Sequence, residues 1–394
     1  MEPLSGSRSC ESSYAGSASG VIDGLLQRNG GFAVLDGGMA TELERRGQNI
    51  DDPLWSARCL IDNPDLIRDI HLDYLRSGSD IIISSSYQAT FQGFEKRGYG
   101  REQARELFLT SVRLAGEARE QFMKETHHTD DGGTDVNSNS GSNRTPSSGS
   151  NDYGFNAGTI GKKRNSKEGE SKKFCTQYGR EEAAEQEEKE RPRMPLVAAS
   201  VGSYGAFLAD GSEYSGDYGD VTIEDLMDFH RDRIILLATS GVDLLALETI
   251  PSRMEAEALI RVLEEEDVPI PSWITYVSMD GVHSARGDPF EECVAVADRC
   301  NKIVAVGSNC VSPRFVQSLV TIAKQVTSKP IVVYPNSGEA WDDDKKEWVA
   351  STGVSEEDFA SYVPEWRDNG ASLFGGCCRT TPSTIRAIAA ALRA

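Results

Sequence analysis

Short apolar and β-branched runs recur along the chain, each closed by small or polar residues. They are Ala33-Val34-Leu35-Asp36, Asp80-Ile81-Ile82-Ile83-Ser84, Leu196-Val197-Ala198-Ala199-Ser200 and Asp243-Leu244-Leu245-Ala246-Leu247-Glu248. Trp273-Ile274-Thr275-Tyr276-Val277, Ile303-Val304-Ala305-Val306-Gly307, Ile331-Val332-Val333-Tyr334 and Ser372-Leu373-Phe374-Gly375-Gly376 complete the series. None alternates strictly, which suits strands buried on both faces of a parallel sheet. Helical patterns lie between them. Asn63-Pro64 opens a stripe of Leu66, Ile67, Ile70, Tyr74 and Leu75 that stops at Gly78. Thr222 with Asp225, and Ser252 with Glu255, form capping boxes, and Ser312-Pro313, Ser355 and Thr381-Pro382 open three further helices.

Eight strands alternating with helices predict a parallel α/β architecture, with strand starts near 33, 80, 196, 243, 272, 303, 330 and 372. The outsized interval, 80 to 196, holds residues 125–192, which are almost without large aliphatics and carry 13 acidic and 10 basic residues. Such a segment buries too little apolar surface to offset its ordering entropy. It is expected to be a disordered insertion, with a short charged helix before Pro192. Without it the intervals are even, as in a single (β/α)8 TIM barrel over 21–394 that follows a Ser/Gly-rich disordered tail, 1–20. An open doubly wound sheet is the alternative; no G-x-G-x-x-G follows the first strand to support it.

Composition narrows the function classes. The net charge of -21, from 62 acidic and 41 basic residues, repels phosphate backbones, so no nucleic-acid partner is expected. No apolar run approaches the ~20 residues that span a bilayer, and the N-terminus has no apolar signal core, so a cytoplasmic protein is expected. Eight cysteines in 394 residues lack the dense spacing of a disulfide scaffold. In a reducing compartment they are thiols or metal ligands.

Barrel enzymes carry their chemistry at the carboxyl ends of the strands. There the sequence places Asp36-Gly37-Gly38, Ser84 to Gln88, Glu248-Thr249, Cys310, Tyr334-Pro335-Asn336 and Cys377-Cys378. Three cysteines on one rim, Cys310, Cys377 and Cys378, point to a zinc site whose fourth tetrahedral position is open to substrate. Buried cysteines also serve as small hydrophobes, the reading that suits Cys293 and Cys300, while Cys59 falls in a loop or helix start. Histidine is scarce: His127 and His128 lie in the insertion, His71 and His230 inside helices, and only His283 in a strand-end loop. That argues against a His-based hydrolase. A zinc held by three thiolates is suited to keeping a substrate thiol ionised, and hence to alkyl transfer to sulfur. Asp36 and Glu248 offer carboxylates for the amino group of an amino-acid thiol, and the Gly37 and Gly38 amides a cradle for its carboxylate.

Eight stretches carry a resemblance: D-G-G-M-A-T-E-L (36–43), D-P-L-W-S-A (52–57), S-S-S-Y-Q-A-T-F-Q-G-F (84–94), G-S-Y-G-A-F-L-A-D-G-S-E-Y-S-G-D-Y (202–218), E-T-I-P (248–251), G-S-N-C (307–310), P-N-S-G-E-x-W-D (335–342) and G-G-C-C-R-T-T-P (375–382). Together the chain resembles the homocysteine S-methyltransferase family, in its S-methylmethionine-using branch rather than its betaine branch. The resemblance implies an enzyme that transfers a methyl group from S-methylmethionine, or S-adenosylmethionine, to zinc-bound homocysteine thiolate, forming methionine. It implies zinc ligands at Cys310, Cys377 and Cys378 and homocysteine-binding acids at Asp36 and Glu248. No cobalamin-binding module follows the eighth helix, which disfavours the cobalamin-dependent synthase. Ser308, where Val is more usual, and the insertion depart from the family pattern. A cationic donor suits an aromatic face, for which Trp55 is the first candidate and Tyr87 the second. The alternatives are the same chemistry with betaine or selenocysteine, a barrel lyase using Glu248 as base, and a non-catalytic zinc or thiol-binding barrel with a partner-binding insertion. Oligomeric state and the preferred donor are left open.

Overall fold

The eight apolar runs become parallel strands: β1 (Ala33–Val34), β2 (Ile81–Ile83), β3 (Leu196–Gly202), β4 (Leu244–Ile250), β5 (Ser272–Tyr276), β6 (Ile303–Asn309), β7 (Ile331–Tyr334) and β10 (Ala371–Phe374). An antiparallel hairpin of β8 (Ala340–Asp342) and β9 (Glu347–Val349) precedes the last of them. Each barrel strand begins within one residue of its expected start. This computed structural model describes residues 20–50, 52, 54–130, 194–342, 347–349 and 353–394, and not the side chains of residues 55, 128–130, 340–342, 347–349, 356 and 357.

The strands bond in the order β1-β10-β7-β6-β5-β4-β3-β2, and a parallel bridge between Leu35 and Ile81 joins the two ends. The sheet is therefore closed, a (β/α)8 barrel, and the open alternative is excluded. Side-chain period two divides each strand between two cores. Ala33, Leu35, Ala198, Leu244, Ala246, Trp273, Ala305, Val332 and Leu373 form the inner cluster, whereas Val34, Val197, Ala199, Leu245, Leu247, Ile274, Val306 and Val333 pack outward in the helix layer. The helix Gly20–Arg28, which the sequence reading left unassigned, delivers Ile22 and Leu25 to the inner cluster. It ends five residues before β1, so it stoppers the amino end of the barrel, opposite the carboxyl ends of the strands.

The helices start and stop for the expected reasons. Pro64 opens Pro64–Arg76, and the Thr222–Asp225 capping box is reciprocal. Ser252 caps Arg253–Glu265 through the Glu255 N–H at 3.2 Å, but the return half of that box is absent. The Glu255 carboxylate instead accepts from the Tyr204 N–H (2.6 Å), Tyr218 hydroxyl (2.8 Å) and His230 Nε2 (2.9 Å), because those buried donors have no water to turn to.

The chain divides into two units, Met1–Met123 with Arg193–Ala394, and Lys124–Pro192. The first holds the barrel. The second corresponds closely to the expected insertion, and its described part corrects that expectation at one end. The helix Arg101–Asp130 continues through 125–130, since adding turns to an anchored helix needs no new nucleus. Residues 1–19 of the expected tail, residues 131–192 of the expected insertion and its expected charged helix lie outside the described residues. Among the described residues, no helix is long and apolar enough to cross a membrane.

Candidate active site

The inward parity of each strand continues to the carboxyl end, where the side chains turn polar. Ser200 extends the inward set of Ala198, Glu248 that of Leu244 and Ala246, Thr275 that of Trp273, Asn309 that of Ala305, and Tyr334 that of Val332. All five are buried. They form one network. Ser200 Oγ donates to Glu248 Oε1, and the Tyr334 hydroxyl donates to Glu248 Oε2 at 3.0 Å. Trp273 Nε1 donates to the Tyr334 oxygen at 3.2 Å, and Thr275 Oγ1 lies 2.8 Å from both Tyr334 and Asn309 Oδ1.

Asn309 has a further task. Its Oδ1 accepts from the Thr249 N–H at 2.8 Å, and its Nδ2 donates to Thr249 Oγ1 at 2.8 Å. Thr249 stands at φ 60, a left-handed conformation unfavourable for a β-branched residue. The Asn309 amide holds it there, and so fixes the chain next to Glu248. Cys310, the residue after Asn309, is itself left-handed at φ 50, which turns the chain out of β6.

Cys377 and Cys378 follow β10. The Cys377 N–H donates to the Pro335 carbonyl (2.8 Å) and the Cys378 N–H to Asn336 Oδ1 (3.0 Å), while Thr380 Oγ1 donates to the Cys377 carbonyl (2.7 Å). These bonds bring the pair to Cys310, whose N–H donates to the Tyr334 carbonyl at 3.2 Å. The sulfurs of Cys310, Cys377 and Cys378 lie within 4.8 Å of one another, a set able to hold a metal ion. Here Cys310 and Cys377 are joined as a disulfide and Cys378 is free. Burial pushes the Cys378 thiol up to about 12, with the Glu213 charge adding to it. A cation at the cluster would favour the thiolate, and three soft sulfur donors suit a thiophilic metal.

Two carboxylates share the rim. Asp36 is buried and accepts from the Ile83 N–H at 2.8 Å. Burial raises its carboxyl well above the ordinary range, the Ile83 bond opposes this, and the Glu248 charge adds to the rise. Burial lifts Glu248 to about 7, against the hydrogen bonds from Ser200 and Tyr334. Neither acid has a cationic side chain bonded to it among the described residues, so a ligand ammonium is the complement the pair lacks.

The other expected residues divide. The Gly38 N–H is turned to Thr380 Oγ1 at 3.2 Å, and a Cβ there would fall 2.6 Å from the Cys377 carbonyl oxygen, so this glycine serves a close approach of two rim loops. The Tyr87 hydroxyl hydrogen-bonds Thr249, and its ring packs against Gly202, where a Cβ would come within 2.7 Å of it. Trp55 lies in the 3-10 turn Trp55–Arg58; its side chain is outside the described residues. Cys293 and Cys300 are buried and outside the sulfur cluster, and His283 is half-exposed against Asp280. Ser200, Thr275, Asn309 and Glu213 were missed by sequence reasoning. Inward parity was the signal available for the first three.

Comparison with known proteins places the chain. The family model described as homocysteine S-methyltransferase matches residues 33–392. Homocysteine S-methyltransferase 2 of Arabidopsis thaliana is 50% identical over 366 residues, covering 92% of this chain and 94% of that protein. Selenocysteine Se-methyltransferase of Brassica oleracea var. italica is 49% identical over 365 residues, covering 92% and 90%. Among solved structures, the metallated form of the homocysteine methyltransferase MmuM from Escherichia coli superposes with a TM-score of 0.69 at 35% identity, over 94% of this chain and 99% of that one. Its oxidised form gives 0.70 at 35% identity, over 94% and 98%.

Proposed function

The chain belongs to the homocysteine S-methyltransferase family, and from that premise we propose how its residues carry a methyl group from S-methylmethionine to homocysteine to give methionine. The observation that carries the reading is the meeting of three cysteine sulfurs with two buried, cation-free carboxylates on one barrel rim. Cys310, Cys377 and Cys378, reduced, are the ligands we assign to zinc. Bound there, zinc would supply a cation that lets the homocysteine sulfur persist as a nucleophilic thiolate at neutral pH.

The chain's own residues do the rest. Asp36 and Glu248 bind the homocysteine ammonium, which draws Glu248 to its ionised form as the charges pair. Ser200 and Tyr334 aim the Glu248 carboxylate, and Asn309 fixes the backbone on which it stands. The amides of Gly37 and Gly38 remain our candidates for the homocysteine carboxylate, the latter by exchanging Thr380 for the ligand. Trp55 and Tyr87 are our candidates for the aromatic surface facing the donor. Catalysis then rests on placing thiolate and methyl carbon in line, with no general base required at the moment of transfer. Three reduced thiols also suit the cytosol, where we place the protein.

The test is methionine formation by the reduced protein from homocysteine with S-methylmethionine, S-adenosylmethionine or betaine, before and after chelation, with selenocysteine as a second acceptor. We expect S-methylmethionine to lead, activity to vanish with the chelator and return with zinc, and Cys378→Ala to lose both metal and turnover. Undiminished turnover by metal-free protein overturns the assignment of the cysteines. Metal retention and partner capture without methyl transfer would favour a binding barrel instead.

A further inference from the structure

Glu213 is a carboxylate that the reading above leaves unused. It sits in the 3-10 turn Ser212–Tyr214, which follows β3 on the catalytic side of the barrel. That turn is firmly placed. A Cβ on Gly205 would fall 2.3 Å from the Glu213 nitrogen, so the turn lies directly on the backbone of the helix Tyr204–Leu208. Beyond it, the Tyr218 hydroxyl accepts from the Gly205 N–H at 3.1 Å and donates to Glu255 at 2.8 Å, tying down the far end of the loop.

On this rigid turn, Oε2 of Glu213 is buried and has no hydrogen-bond partner; no other carboxylate oxygen among the described residues is in that position. Three other acids near the rim are served. Asp36 takes the Ile83 N–H, both oxygens of Glu248 take hydroxyls, and Glu339 takes the Arg379 guanidinium. Glu213 also exerts the largest charge effect on both the Cys378 thiol and the Tyr87 hydroxyl, so it stands near each of them. Burial raises the Glu213 carboxyl, a hydrogen bond from its own N–H opposes this, and among the described residues no Lys, Arg or His pairs with it; a buried carboxylate charge without a countercharge is costly. The partner it is shaped for arrives with a ligand, and in a rim of sulfurs and carboxylates that ligand is a cation.

We propose that Glu213 is a donor-binding residue, its carboxylate receiving the positive charge of the methyl donor beside the ring of Tyr87. The inference rests on the methyltransferase reading, in which Asp36 and Glu248 already serve the homocysteine ammonium and the second cation belongs to the donor. In the transfer, the donor's methyl–sulfur bond breaks with its electron pair returning to that sulfur, while a thiolate pair forms the new carbon–sulfur bond. Sulfonium and thiolate charges annihilate, so the pull of Glu213 is greatest before transfer and fades at the barrier. Its contribution therefore falls on donor binding and not on the chemical step.

The experiment compares zinc-loaded wild-type, Glu213→Gln and Glu213→Asp proteins at saturating homocysteine, with calorimetric binding of S-methylmethionine in the absence of homocysteine. A sulfonium donor lacking the α-amino group runs alongside, to tell recognition of the sulfonium from recognition of the ammonium. We expect the Gln variant to raise the donor KM and Kd about tenfold or more, the loss of about one paired charge. Its homocysteine KM should stay within about twofold, its kcat should not fall, and Asp should restore part of the affinity. Its unfolding midpoint should match or exceed wild type, since an unpaired buried charge has gone. Unchanged donor affinity overturns the proposal, as does an equal rise in homocysteine KM. A lowered unfolding midpoint also overturns it, by assigning the carboxylate to loop support. Should the wild type favour S-adenosylmethionine, the donor named above is wrong, yet the Gln-to-wild-type ratio measured on that sulfonium still decides the role of Glu213.

Discussion

Glu248→Gln separates what this carboxylate does for binding from what it costs the fold. In the native protein Glu248 is held at about 7, whereas an unfolded chain would leave it near 4.5. Between those values the native state binds the extra proton, so stability falls as pH rises through the window and the full penalty is present above about pH 7. The gap corresponds to roughly 3 kcal/mol at pH 8, and to almost nothing at pH 4. Glutamine removes the titration but disturbs one of two hydrogen bonds, from Ser200 or Tyr334, at about 1 kcal/mol. Ligand-free Glu248→Gln protein should thus be less stable than wild type by about 1 kcal/mol near pH 4, and more stable by about 2 kcal/mol at pH 8. The assay is denaturant unfolding of both proteins across that range. In parallel, the homocysteine KM of the variant should rise at least tenfold at pH 8, because an ammonium loses an ionic partner. A stability difference that stays constant with pH would refute the burial of a titrating carboxylate at this position, whatever happens to KM.

Other consequences are sharper in geometry. Asn309→Ala leaves the buried Thr249 N–H unpaired and frees a strained residue beside Glu248; we expect a loss of about 1–3 kcal/mol and a homocysteine KM raised more than the donor KM, by steady-state kinetics. Gly307→Ala should be poorly tolerated, since its Cβ would fall 1.8 Å from the Val332 carbonyl oxygen and β6 must part from β7; a destabilisation of about 3 kcal/mol and loss of bound metal through displaced Cys310 are expected by thermal unfolding and metal analysis. Tyr334→Phe withdraws a donor from Glu248, which raises that carboxyl further, so the acid limb of the pH–rate profile should move upward.

The barrel was legible because strand and helix each carry their own period, and eight repetitions of both leave few closed arrangements. The rim cysteines were legible for a related reason: Cys310 and Cys377 sit where apolar runs stop, and the scarcity of histidine directed the metal towards sulfur chemistry. Boundaries set by tertiary partners were not. The expected reciprocal cap at Ser252 fails because Glu255 is claimed by His230, Tyr204 and Tyr218, and only His230, on the preceding helix, carries a side chain that sequence could have flagged as polar and inward.

The network behind Glu248 shows where sequence reasoning could have gone further and where it could not. Once Ala198, Leu244, Trp273 and Val332 are taken as inward, parity alone carries Ser200, Glu248, Thr275 and Tyr334 inward too, two or four residues later. A polar residue at such a position, beneath a rim and away from water, must have a partner there. That step would have predicted the environment of Glu248 without coordinates. Asn309 is different, because its worth lies in the left-handed backbone of Thr249, 60 residues away, which no side-chain pattern announces. Glu213 is different again. Its significance is a buried oxygen without a hydrogen-bond partner, which only the folded arrangement of its loop reveals.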